Sequence, residues 1–165
     1  MKLRSILDLA TEQLEELHSA ESQIIKVIPQ ISTTALSPAL RRLFRERGRQ
    51  AEVHISRLGR VSKKLGTKLA GPKCKGMEAI IQEGKESLRR NAGPNLIDSI
   101  LIATARRWEH YEIAAYGTAR TYVEALGNGR IGEFLQASLD EEIRMDEKLN
   151  TLAEKSVNLE ADIRL

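Results

Sequence analysis

The sequence predicts an all-α fold: an up-down bundle of four long helices, with a long crossover between helices two and three that carries a short extra helix. Three observations predict it. Apolar residues recur at steps of three and four along four separate stretches, the spacing of one buried helix face. The helix formers Ala, Leu, Glu, Arg and Lys are plentiful, while aromatics make up only 4% of the chain. Glycine and proline punctuate the region between Gly66 and Gly93, which leaves one helical hairpin on either side of it.

The first helix spans about Lys2 to Ile31, with the stripe Leu3, Leu7, Ala10, Leu14, Leu17, Glu21, Ile24 and Ile28. One member of that stripe, Glu21, is charged. Ser37-Pro38 reads as an N-cap followed by proline at the first helical position. The second helix then carries Leu40, Leu43, Arg47, Gln50, His54, Leu58, Val61 and Leu65, with Gln50 and His54 one turn apart in the middle. A short amphipathic piece from about Met77 to Leu88 lies within the crossover, which is longer than an ordinary helix-to-helix turn. The third long helix, about Asn95 to Leu126, ends at Gly127-Asn128-Gly129. Its apolar face includes Leu101, Ala105, Trp108, Ala115 and Ala119, with Glu112 on that face and Glu109 one turn before it. The fourth helix, about Ile131 to Val157, places Glu142 and Asp146 among Leu135, Leu139, Leu149 and Leu152.

A chain of 165 residues is expected to form one domain, residues 1–165, with a substantial core. The single cysteine, Cys74, excludes an intramolecular disulfide and fits a reducing compartment. Asp8 and Glu12 interrupt the N-terminal apolar pattern too early for a signal peptide, and no run approaches the roughly 20 apolar residues of a membrane span. A soluble, cytoplasmic protein is expected.

The interruptions of the four stripes carry the functional argument. Antiparallel neighbours fold back at about 1.5 Å per residue. Counted from the two hairpin turns, Glu21 therefore falls level with Gln50, and Glu112 level with Glu142. Singly, a glutamate in an apolar stripe marks a helix edge. Four interruptions, two level within each hairpin, point to a site, and the crossover decides whether the hairpins share one layer. Glu21, Glu109, Glu112, Glu142 and Asp146 could not all stay ionised at close range without cations. Two divalent ions would nearly balance them, with His54 as a neutral nitrogen donor and Gln50 as a weak oxygen donor. Carboxylates with imidazole suit iron or manganese, with zinc as an alternative occupant. Such helix-borne ligands are how di-metal carboxylate bundles are built.

The run Glu109-His110-Tyr111-Glu112-Ile113-Ala114-Ala115-Tyr116-Gly117-Thr118 resembles the signature of the YciF/YciE-type bacterial stress proteins. Leu17-His18-Ser19-Ala20-Glu21 and Leu139-Asp140-Glu141-Glu142 fit the same pattern. The resemblance covers nearly the whole chain. It implies a ferritin-like bundle that dimerises, a di-metal centre and a role in stress response. It also implies a second-helix glutamate where this chain has Gln50, which puts the second metal position in question.

Charge offers a competing function. Residues 41–75 contain twelve Lys/Arg against two Glu, a local charge of +10, whereas residues 133–162 carry −6. A basic strip can bind nucleic acid. Without interleaved aromatics or a DNA-binding motif, it is read instead as facing acidic helices of the bundle or of a dimer partner. The sequence thus supports a metal-dependent oxidoreductase on one side and a non-catalytic dimeric scaffold on the other. It shows no nucleotide loop and no Ser/His/Asp or Cys/His nucleophile constellation.

Overall fold

The computed structural model describes residues 3–90 and 93–154, and these contain five helices and no strand. Helix α1 spans Ile6–Thr34, α2 Pro38–Leu65, α3 Lys75–Arg89, α4 Pro94–Ala125 and α5 Gly129–Leu152. α1, α2, α4 and α5 form the expected bundle, and α3 is the crossover helix.

Local chemistry sets the boundaries. α1 starts later than its apolar stripe because Ser5 is its cap, accepting from the Asp8 N–H at 3.1 Å. It runs past Ile31 to Thr34, where the Thr33 and Thr34 hydroxyls donate back to the Pro29 and Gln30 carbonyls. Ser37 caps α2, and Gly66 ends it at φ 69°, a left-handed conformation that favours glycine. Cys74 caps α3 through its sulfur. Gly127, at φ 76°, turns the chain between α4 and α5. The expected end of the fourth long helix at Val157 lies outside the described residues.

Each long helix packs on two others: α1 on α2 and α4, and α5 on α4 and α2. The Asp98 carboxylate near the start of α4 accepts from the Leu36 and Ser37 N–H groups, both at 2.7 Å. That clasp fixes the first residues of α4 beside the α1–α2 turn. α3 returns the chain there by packing against α4 and the flank of α1. Met77 is fully buried, and Ile80, Ile81 and Leu88 pack on the bundle's own core. The crossover helix therefore covers its own apolar face.

The core is two apolar layers with a polar layer between them. One layer gathers Ile24, Ile28, Phe44, Leu101, Trp108 and Leu149, and the other Leu14, Leu17, Leu58, Tyr116 and Leu135. Between them lie Glu21, Arg47, His54, Glu109, Glu112 and Glu142, each at most 1% exposed. The two hairpins thus share one polar level.

Candidate metal centre

Arg47 occupies the middle of this layer. Its Nε donates to Glu109 Oε1 at 3.0 Å, and Nη1 and Nη2 both donate to Glu21 Oε2 at 3.1 Å. Nη2 also donates to Glu112 Oε2 at 2.5 Å and lies 3.1 Å from Glu142 Oε1. One planar guanidinium therefore touches a carboxylate from α1, two from α4 and one from α5. Only arginine presents five donors in a fork wide enough for this.

His54 stands on the other side of Glu21. Its Nδ1 is 2.7 Å from Glu21 Oε1 and 3.0 Å from Glu142 Oε1, and its Nε2 is 2.7 Å from Glu141 Oε2. Tyr116 donates its hydroxyl to Glu21 Oε1 at 2.7 Å, and the Trp108 indole donates to Glu109 Oε1 at 2.6 Å. Each aromatic thus buries its ring in one apolar layer and turns its polar end to the cluster.

The carboxyl groups divide by environment. Burial pushes the Glu112 carboxyl well above its ordinary range, reinforced by the negative Glu21. Burial likewise raises Glu142 well above that range, against the relief that Arg47 gives and with the neighbouring Glu109 adding to the rise. Burial also works against ionised Glu21, but Arg47 and the hydrogen bond from His54 hold its carboxyl below the usual value. Burial disfavours charge on Arg47 as well, yet the four carboxylates keep it firmly protonated. Arg47 is the one permanent cation of the cluster, and burial favours the neutral form of Glu112 and Glu142.

The residues singled out in the sequence separate accordingly. Glu21, His54, Glu109, Glu112 and Glu142 come together. Gln50 makes no hydrogen bond to the cluster, and its buried Oε1 has no partner. At about 100° per residue, Arg47 and His54 lie only some 20° apart around α2, while Gln50 sits about 60° off Arg47. Asp146 lies outside too. It pairs with Arg106 at 2.8 Å and with His110 at 3.2 Å on the α4–α5 surface, some 40° around α5 from Glu142.

Sequence reasoning missed Arg47, Glu141 and the polar roles of Tyr116 and Trp108. Arg47 had a readable signal: it is seven residues from both Leu40 and His54, on the stripe itself. In the sequence its long positive side chain reads as part of the basic strip. Elsewhere in that strip Arg57 pairs with Glu141 of α5, while at Glu46 the polarity is reversed, with Lys148 of α5 as the cation.

The donor set fits a metal ion in one place. Glu21, His54 and Glu142 each offer a ligand atom, all within 4.8 Å of one another and all buried. Both Glu142 carboxylate oxygens, Glu109 Oε2 and Glu112 Oε1 are buried without a hydrogen-bond partner; Glu142 Oε1 is close to Arg47 and His54 but poorly aligned with them. Such orphaned oxygens are what a cation would satisfy. For a second ion the fit is poor, because Arg47 holds the space among the remaining carboxylates.

Fold and site together define a ferritin-like helical bundle with a buried carboxylate–imidazole centre. The chain belongs to the family described as "Domain of unknown function (DUF892)", whose model matches residues 5–162. It is 31% identical over 163 residues to Protein YciF of Escherichia coli (strain K12), covering 98% of each chain. The crystal structure of the E. coli stress protein YciF superposes with a TM-score of 0.90 at 31% identity, covering 94% of this chain and 99% of that one. YcfI from Rhodopseudomonas palustris, described as a candidate structural protein, superposes with a TM-score of 0.87 at 34% identity, covering 91% and 96%. A Xanthomonas campestris protein at 16% identity shares the fold, with a TM-score of 0.76 over 94% and 96% of the two chains.

Proposed function

We propose that this protein is a metal-binding stress protein that holds one divalent ion, manganese or ferrous, between Glu21, His54 and Glu142. One observation carries the reading: three ligand atoms from three helices converge within 4.8 Å. Two carboxylates with one imidazole favour manganese or iron over softer metals, with zinc as an alternative occupant. When bound, the ion supplies Lewis acidity and, if iron or manganese, one-electron exchange. The chain's own residues do the rest. Glu142 would hold the ion as a carboxylate, Glu141 fixes the His54 ring through Nε2, and Tyr116 holds Glu21 in place. Arg47 supplies the positive charge that a second ion would bring to a dinuclear centre, so the site is read as mononuclear.

Titration of chelator-treated protein with manganous ion tests this. One ion per chain is expected, with Glu142→Gln and His54→Ala each losing at least tenfold in affinity. Two ions per chain, or equal affinity in all three proteins, would overturn it.

A second reading has its own support. Arg47 already neutralises much of the cluster, so the bundle can stand without metal and act as a scaffold, in keeping with the description of the R. palustris relative. Homodimer formation belongs to both readings. Val53 on α2 and Ile143 on α5 are 46% and 39% exposed, and offer apolar area to a second copy. A cytoplasmic setting accords with the one free, buried cysteine, Cys74. Among the described residues no helix is long and apolar enough to cross a membrane.

A further inference from the structure

We infer that Arg57 and Glu141 form the way into the buried centre: a carboxylate latched by a guanidinium at the bundle surface, which passes a divalent cation inward to His54 and Glu142. The inference rests on the reading of Glu21, His54 and Glu142 as a cation site.

The exposure pattern is its first ground. Arg47, Glu21, Glu109, Glu112, Glu142, Trp108, Tyr116 and His54 are at most 1% exposed. Among the described side chains hydrogen-bonded to this cluster, Glu141 is the one that reaches solvent, with 23% of its side chain exposed, and its partner Arg57 has 19% exposed. A cation arriving from water therefore meets Glu141 before any other member of the cluster.

The second ground is connectivity. Glu141 Oε2 is 2.7 Å from His54 Nε2, on the edge of the ring opposite the Nδ1 atom that faces Glu21 and Glu142. Glu141 and Glu142 are consecutive on α5 and so point about 100° apart, one to the rim and one to the interior. They flank the same imidazole, so the rim carboxylate and the interior carboxylate are linked through His54.

The third ground is the latch. Arg57 Nη1 and Nη2 donate to Glu141 Oε2 and Oε1 at 2.7 and 3.0 Å, and Nη1 also donates to Ser138 Oγ at 3.2 Å. The fork occupies both Glu141 oxygens, so a cation gains access only when Arg57 swings aside. Its long side chain at a partly exposed site can do so without backbone movement. Arg57 therefore sets the rate of exchange, and Glu141 supplies the charge that attracts the ion.

Stopped-flow uptake of cobaltous ion by the chelator-treated full chain, read by visible absorbance, tests this with two variants of opposite expected sign. Glu141→Gln keeps an acceptor for the His54 ring but loses the charge. It should slow uptake about tenfold, the low end of electrostatic effects on association, in addition to any loss of affinity through the His54 ring. Arg57→Gln should speed both uptake and release. Should Glu141 only orient His54, Glu141→Gln would leave the uptake rate unchanged and shift release or affinity instead, which overturns the inference. Cobalt bound at the expected affinity with unchanged uptake in both variants also overturns it, leaving the cation site intact. A wild-type chain that binds no cobalt would remove the site and the inference together.

Discussion

Arg47→Met removes the central cation while keeping a side chain of similar length. In the metal-free protein the change leaves four buried carboxyl groups, from Glu21, Glu109, Glu112 and Glu142, without the guanidinium that contacts all of them. Removing one partner from a buried ionic network costs about 3–5 kcal/mol, because the remaining charges stay desolvated. The four groups can soften the loss by binding another proton, at about 1.4 kcal/mol for each pH unit a carboxyl must be raised. The damage should therefore be greater at pH 8 than at pH 5. For a chain of this size, 1 kcal/mol moves the unfolding temperature by about 2–4 °C, so a fall of roughly 6–20 °C is expected at pH 8. Arg47→Lys should fall in between, since an ammonium cannot span all four carboxylates. Manganous ion should restore more stability to Arg47→Met than to wild type, because the vacated place accepts a second cation. At an ion concentration of 100 times the dissociation constant, one site adds about 2.7 kcal/mol. Calorimetry of chelated and manganese-loaded proteins at both pH values gives the result. A metal-free Arg47→Met protein as stable as wild type at pH 8 would refute the view that Arg47 holds the layer together.

The raised carboxyls give a pH prediction for the metal-free protein. Glu112 and Glu142 bind protons more tightly folded than unfolded, so their contribution is complete below the unfolded value near 4.3 and is lost as pH rises toward their folded values. Denaturant midpoints should fall across that range and fall less with manganous ion bound. At the acid end the sign reverses for Glu141, whose carboxyl the Arg57 hydrogen bonds lower to about 2. Its contribution should fade as pH falls from about 4.3 toward that value, and Arg57→Gln should flatten the acid limb. Gly84→Ala would place a methyl 2.5 Å from Thr104 Cγ2, so α3 must shift. A loss of about 1–3 kcal/mol from overpacking is expected, whereas helix propensity alone would give a gain of about 1 kcal/mol. Asp98→Ala should cost about 1–3 kcal/mol by leaving the Leu36 and Ser37 N–H groups unpaired, seen as faster hydrogen exchange at the α1–α2 turn.

The local code of this chain determined its elements. Apolar steps of three and four, the Ser37-Pro38 cap and the Gly127 turn place four long helices to within a few residues, because such signals depend only on neighbours along the chain. The polar interruptions were legible too, since Glu21, His54, Glu112 and Glu142 break stripes that are otherwise apolar. Which of them meet was decided in three dimensions. Gln50 and Asp146 keep helical spacing with members of the cluster, yet neither side chain bonds to it. Asp146 then finds Arg106 and His110 instead. Arg47 shows the opposite case. In the sequence it is one of twelve basic residues in a charged segment, and its charge argues for solvent. Only the packed bundle surrounds it with carboxylates from three other helices, and their combined field makes burying a guanidinium favourable. Charge balance in a core is a sum over residues far apart in the chain, so the tertiary structure settled where the cation of this layer comes from.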